Sequence, residues 1–162
     1  MAGSSSGKLL GETEIVPRSR AVAASLRSFN QTVFTAGAAP STTLMDEAGF
    51  VYAPAGCRGA GLAGCRVHVH YHCCDCNWRS VGENYMMDTA MLDYAESNDI
   101  VTIFPQTFND AADGNCWDWW GGTGELFDTN RGIQTLAVNR MVASLDRIVE
   151  SPWPSPSIDP LP

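Results

Sequence analysis

The sequence predicts an α/β domain: a partial sheet of about three strands with two main helices, flanked by irregular N- and C-terminal tails. Two observations carry this. Three short runs rich in β-branched and aromatic residues, Gly49–Pro54, Cys65–Tyr71 and Ile100–Phe104, read as strands. Between the last two, and again after the third, apolar residues recur near the helical period. Strand, helix, strand at this length is a βαβ unit, with parallel strands and a right-handed crossover.

The elements follow in order. Residues 1–45 are rich in Gly, Ser, Ala and Thr, with Pro17 and Pro40 as breakers, and read as mostly irregular apart from a short extended piece around Leu26 to Phe34. Gly49-Phe50-Val51-Tyr52-Ala53-Pro54 is a strand stopped by proline. A glycine-rich loop holding Cys57 separates it from Cys65–Tyr71, and the short spacing predicts an antiparallel pair. Ser80 and Glu83 have the spacing of a capping box. The helix after them carries Tyr85, Met86, Ala90, Met91, Tyr94 and Ala95 to about Ser97, its carboxylates Asp88, Asp93 and Glu96 being most simply a solvated face. Ile100–Phe104 is a buried-type strand ended by Pro105, and a second helix runs from about Gly132 to Val149. The core domain is thus expected over 46–150, and the prolines of 151–162 end all regular structure.

Length and composition exclude several functions. A chain of 162 residues buries one core. Its net charge of −8 and single lysine, Lys8, argue against a nucleic-acid partner, because phosphate contacts need clustered cations. No apolar run approaches the roughly 20 residues of a membrane-spanning helix. Met1–Gly11 has no apolar core of the kind a secretory leader carries. Six cysteines and an Asn30-Gln31-Thr32 sequon point outward instead, to an oxidising compartment.

In open α/β sheets ligands bind outside the carboxyl ends of the strands. Two loops leave such ends, His72–Arg79 and Gln106–Asn130, and they are the two unusual stretches of the chain. The first opens His72-Cys73-Cys74. The second holds Cys116-Trp117-Asp118-Trp119-Trp120-Gly121, with three of the five tryptophans. Clustered aromatics are often core, but the loop position, Gly121-Gly122 and Asp118 favour a cleft wall. Asp118 reads as a residue that orients the loop by hydrogen bonding.

Six stretches, in register, carry a family resemblance. Phe29-Asn30-Gln31 resembles a Phe-Asp-Gln; Gly49–Pro54 resembles a Gly-Tyr-Val-Tyr-Val-Pro strand; Arg66–Cys74 resembles Arg-Leu-His-Val-Ala-Leu-His-Gly-Cys. Val81–Tyr85, Ile100–Gln106 and Cys116–Gly121 follow suit. From about Ala48 to Leu145 the chain is similar to the C-terminal half of a polyhydroxybutyrate depolymerase-type esterase in its circularly permuted α/β-hydrolase form. The resemblance implies an α/β-hydrolase-like fold, extracellular location, an ester or polyester substrate and no cofactor. The family's reaction is ester hydrolysis by a Ser-His-Asp triad; feruloyl and acetyl esters of plant cell walls are alternative substrates on the same fold.

Matching positions carry specific expectations. Cys74 matches the oxyanion-loop cysteine, whose backbone N–H is the useful group. Trp117, Trp119 and Trp120 match the aromatic wall beside the cleft. Cys73 departs from the pattern, replacing a glycine; if that glycine has φ > 0, cysteine there is strained. In the permuted form the triad precedes the matched region. Gly3-Ser4-Ser5-Ser6-Gly7 has the letters of a nucleophile elbow but neither the strand nor the helix that an elbow joins. The expectation is a fragment or degenerate relative that lacks the nucleophile and is inactive alone.

A competing, non-catalytic reading is metal or ligand binding through His68, His70 and His72, which alternate on one strand beside cysteines. No second ligand pair accompanies them, so the primary expectation is no metal. The cysteines read as disulfides: Cys57 and Cys65 flank one loop, and Cys74 and Cys116 leave adjacent strand ends. Six cysteines allow 15 pairings. Cys73 and Cys76 remain, paired with each other or free.

Overall fold

The computed structural model describes residues 19–108 and 114–150. Four strands, β1 (Leu26–Asn30), β2 (Ala48–Tyr52), β3 (Arg66–Val69) and β4 (Ile100–Phe104), form one mixed sheet in the order β1-β2-β4-β3. β3 and β4 are parallel, with Arg66 opposite Ile100 and Val69 opposite Ile103, as the strand-helix-strand spacing predicts. β2 is antiparallel to both its neighbours, β1 and β4.

The sheet is covered on both faces. On one face Val51, Val101 and Ile103 meet Ala137, Met141, Leu145 and Ile148. These last four belong to α5 (Ile133–Ala143) and α6 (Leu145–Glu150), two of the six α-helices among the described residues. On the other face Phe50, Tyr52, Ile100 and Phe104 meet Trp78, Met86, Leu92 and Ala95. Every residue of β2 and β4 is therefore buried, which is why these strands read as continuous apolar runs rather than alternating ones. Between Phe34 and Met45 a short α1 (Pro40–Thr43) begins on a proline, whose missing N–H costs nothing at that position.

Several expectations change. β2 and β3 do not pair, because β4 lies between them; the two-face burial of Ile100–Phe104 makes it a central strand. The short extended piece expected around Leu26 to Phe34 is a strand over its first five residues, β1, whose Leu26–Asn30 pairs with Tyr52–Ala48. The sheet accordingly has four strands rather than about three. The helix expected after Glu83 is two short ones, α3 (Asn84–Asp88) and α4 (Ala90–Ser97), preceded by a further short helix, α2 (Trp78–Val81). Ser80 does not cap them. It lies inside α2, and Asn77 is the cap, its side-chain oxygen accepting from Ser80 N at 3.0 Å. Gly82 at φ 73 stops α2, and Thr89, extended at φ −72 and ψ 122, separates α3 from α4. The last helix is likewise broken at Ser144, with φ −118 and ψ 28. Gly3–Gly7 and the proline-rich 151–162 lie outside the described residues. Among the described residues no helix is long and apolar enough to cross a membrane.

Candidate functional site

Parallel pairing delivers the ends of β3 and β4 side by side, so the loops that follow them emerge together. Three fasteners hold them there. The Cys74–Cys116 disulfide crosses from one loop to the other. Asp75 N donates to Gly114 O at 2.7 Å. Thr107 N donates to His72 Nε2 at 3.1 Å.

The last bond assigns His72. Because Nε2 accepts, the ring proton sits on Nδ1 and is donated to Cys73 O at 2.8 Å. The ring is buried, which pushes its pKa below the ordinary histidine value, while the bond to the Cys73 carbonyl works the other way. Thr107 Oγ1 lies 3.2 Å from the same Nε2 and donates its own proton to Asn115 O at 2.6 Å. His72 is thus a neutral pivot between the loops, with both ring nitrogens committed.

The turn after it is pinned at each residue. Cys73 is bonded to Cys76, and Cys76 N donates to Cys73 O at 3.1 Å, closing the turn. The strain anticipated at Cys73 does not arise: its φ is not positive. Asp75 takes the left-handed conformation instead, at φ 56, with its carboxylate facing Asn115 Nδ2 at 3.4 Å. Asp is one of the residues that tolerates this region through local hydrogen bonding. Cys74 is exposed, and among the described residues nothing accepts from its backbone N–H.

The tryptophan loop is organised by Asp118. Its Oδ1 accepts from the backbone N–H of Trp120, Gly121 and Gly122 at 3.2, 2.8 and 3.0 Å. Its Oδ2 accepts from Thr123 N at 2.8 Å and Thr123 Oγ1 at 2.6 Å. Partial burial disfavours the charged form, but these donors outweigh it and hold the carboxyl below the usual range. Asp118 N in turn donates to Gln134 Oε1 at 3.0 Å, and Gln134 Nε2 donates to Thr43 O, so the loop is anchored to the start of α5 and the end of α1.

The three tryptophans separate into two roles. Trp117 faces inward: Nε1–H donates to His72 O at 3.2 Å, and the ring meets Tyr71 edge-on at 4.9 Å. Trp119 and Trp120 face outward, 72% and 36% exposed, their rings edge-to-face at 5.9 Å. Trp120 lies close over Gly122, where a Cβ would sit 2.8 Å from its Nε1. Tyr71, half exposed, continues the outward aromatic surface.

A buried polar relay beneath both loops went unread as site structure. Gln31 donates through Nε2 to the carbonyls of Asp46 and Gln106, and its Oε1 accepts from Gln106 N at 3.1 Å. Gln106 Oε1 accepts from Trp78 N at 2.8 Å, and Asn77 Nδ2 donates to Thr107 O at 2.9 Å. Asp46, wholly buried, pairs with Arg79, whose Nη2 is 3.1 Å from Oδ1. The available signal was polar side chains directly after strand ends, at Gln31 and Gln106. Nothing in the sequence linked them to each other.

The three histidines do not form one site. His68 and His70 stay together on one face, ring centroids 6.1 Å apart, and His70 Nε2 lies 3.2 Å from Tyr85 OH. Burial lowers the pKa of both. His72, beyond the end of β3, is turned into the loop junction. The metal alternative through His68, His70 and His72 therefore fails on geometry. Among the described residues the His, Cys and carboxylate atoms close enough to share an ion are those of Cys57, Cys65 and Asp99, and the two cysteines are bonded to each other.

No protein-family model matches the chain. It is 36% identical over 114 residues to the poly(3-hydroxybutyrate) depolymerase of Delftia acidovorans, covering 70% of this chain and 22% of that protein. It is 28% identical over 106 residues to the polyhydroxybutyrate depolymerase of Talaromyces funiculosus, covering 58% of this chain and 31% of that one. Among solved structures it resembles the PHB depolymerase of Penicillium funiculosum, with TM-score 0.68 and 25% identity over 84% of this chain and 45% of that one. It also resembles a PHB depolymerase variant complexed with an R3HB trimer, with TM-score 0.61 and 28% identity over 77% and 40%. The chain thus spans about a fifth to a third of the curated relatives' length and less than half of the solved ones. Its mixed sheet and helices are a partial α/β-hydrolase-like fold.

Proposed function

We propose, from the premise that this chain is a relative of polyhydroxybutyrate depolymerases matching part of their length, that it forms the oxyanion-side wall of an ester-hydrolysing cleft. The observation that carries the reading is the Cys74 turn. Cys74 is an exposed residue whose backbone N–H has no acceptor among the described residues, and a disulfide locks it to the loop that presents Trp119 and Trp120. In ester hydrolysis the carbonyl oxygen gains charge as the nucleophile adds. A fixed N–H aimed at that oxygen stabilises the transition state by about 3–4 kcal/mol, because it needs no reorganisation. Pinning by Cys73–Cys76, Asp75 and His72 supplies that fixity.

The substrate class is a short hydroxyalkanoate polyester, whose repeating methyl and methylene groups suit the outward indoles. The residues described supply binding and charge stabilisation, and a nucleophile is not among the roles they fill. His72, the buried histidine, has its nitrogens on Cys73 O and Thr107 and cannot serve as a triad base. The chain by itself is accordingly inactive, and the chemistry calls for no cofactor. Three disulfides and the relatives' polymeric substrate support secretion.

Two measurements test this. Purified chain should not turn over p-nitrophenyl butyrate; turnover blocked by an active-site serine reagent overturns the inactivity. An R3HB trimer should quench tryptophan emission, and the quench should vanish in a W119A/W120A variant. An unchanged quench in that variant removes the indoles from the binding wall.

A further inference from the structure

The sequon Asn30-Gln31-Thr32 plays no part in ester chemistry, yet the structure gives it a defined setting. Asn30 is the last residue of β1, an outer strand of the sheet, paired with Ala48. A short helical turn, Thr32–Phe34, follows at once, with Val33 65% exposed. Asn30 Oδ1 accepts from Thr32 N at 2.9 Å and from Thr32 Oγ1 at 2.7 Å, an Asx-turn that spans the sequon. This commits the carboxamide oxygen and leaves the nitrogen. Among the described residues Nδ2 has no partner, and it is not among the buried polar atoms that lack one. The middle residue points the other way: Gln31 is fully buried in the relay beneath the loops. The fold therefore leaves the amide of the half-buried Asn30 not fully buried while using its neighbour as an anchor.

We propose that Asn30 carries an N-linked glycan. The donor class is an oligosaccharide on a lipid pyrophosphate. A bond forms between Asn30 Nδ2 and C1 of the first sugar, the C1–pyrophosphate bond breaks, the lipid pyrophosphate leaves, and the amide loses one proton. Two independent features support this. The described cysteines are all paired, which suits the oxidising compartment where such transfer takes place. Among the described residues the attached nitrogen makes no hydrogen bond, so the glycan displaces none there.

The position also has a consequence. β1 runs parallel to β4, since each is antiparallel to β2, so Asn30 lies at the same end of the sheet as the two loops. Three strand spacings separate β1 from β3, about 14 Å at ~4.8 Å each. The glycan would border the loop-bearing end of the sheet.

The full 162-residue chain, secreted from yeast or insect cells behind a leader peptide, provides the test. The sequence contains no other Asn-X-Ser/Thr, so the outcome is assigned without ambiguity. Expected is a mass increase removed by an amidase that cleaves N-glycans, leaving Asp at position 30 in the tryptic peptide. Asn30→Gln and Thr32→Ala should abolish the increase, and Thr32→Ser should retain it. An unmodified Asn30 in secreted protein, from cells that glycosylate a control sequon, overturns the proposal. So does a glycosidase-sensitive shift that survives in Asn30→Gln. Because the readout is mass, it is independent of whether the chain binds or hydrolyses an ester.

Discussion

The backbone N–H of Thr107 donates to Nε2 of His72 at 3.1 Å, and this one bond fixes the tautomer of the ring while joining the two loops beside the Cys74–Cys116 disulfide. Protonating the ring would place an N–H against an N–H, so the junction requires the neutral form.

A pH window follows from that requirement. The folded-state pKa of His72 is lowered, so the contribution of the neutral ring is present above the unfolded value of about 6.5 and is lost as pH falls below it. Tryptophan emission from the loops should therefore shift as pH drops below about 6.5, and a His72→Gln variant should lose that shift. Asp118 titrates in a lower window: its lowered carboxyl keeps its contribution above about pH 4 and loses it below. A shift that persists unchanged in His72→Gln would remove His72 from the junction.

Asp118→Asn should loosen the tryptophan loop. The amide retains one acceptor oxygen where the carboxylate has two serving five donors. The expected loss is about 1.5–3 kcal/mol, the range for hydrogen bonds to a charged group. Faster amide exchange over Trp120–Thr123 is the direct readout. Unchanged exchange there would mean the loop is held by packing.

The disulfides should rank by the chain they close. Cys74–Cys116 spans 42 residues and Cys73–Cys76 spans 3. Loop-closure entropy gives about 4 kcal/mol for the first and under about 2 kcal/mol for the second. Urea unfolding of the C74S/C116S and C73S/C76S variants measures both, and the reverse order would contradict the entropic account.

The Asp46–Arg79 pair should respond asymmetrically. The Arg79 side chain is 38% exposed, whereas that of Asp46 is 0% exposed. Hydrogen bonding to Asp46 is the main cause that holds the Arg79 guanidinium above its ordinary pKa. Arg79→Ala strands a buried carboxylate and should cost about 3–5 kcal/mol; Asp46→Ala leaves a cation that water can reach and should cost less. Equal losses in thermal melts would count against this.

Gly122→Ala should turn Trp120 outward. The added methyl would come within 2.8 Å of Nε1 and 3.0 Å of Cε2, and the indole is the part free to move. A red-shifted tryptophan emission with an almost unchanged melting temperature is expected. A substantial drop in melting temperature would show that the backbone, not the ring, gives way.

The readable parts of the fold were those with a strong one-dimensional signature. Ile100–Phe104 is apolar at nearly every position because both faces of β4 are covered, and its parallel pairing with β3 was implied by the helical stretch between them. β1 was legible only as a short extended piece. Leu26-Arg27-Ser28-Phe29-Asn30 mixes polar and apolar residues without clean alternation, and its place in the sheet comes from pairing with Tyr52–Ala48. The expected β2–β3 pairing failed for a related reason: closeness in sequence cannot reveal that a later strand inserts between two earlier ones.

At the site, composition alone marked the His72–Cys76 turn and the tryptophan loop, because sulfur and indole are rare and were concentrated at strand ends. Residue order thus marked the two segments that meet at the loop-bearing end of the sheet. Which side chains face outward was decided only by the folded chain. Trp117 is drawn inward by His72 O while Trp119 and Trp120 remain exposed, although all three sit within four residues. Orientation depends on bonds between groups far apart in sequence, such as Gln31 with Gln106 at a separation of 75, and a local pattern contains no record of them.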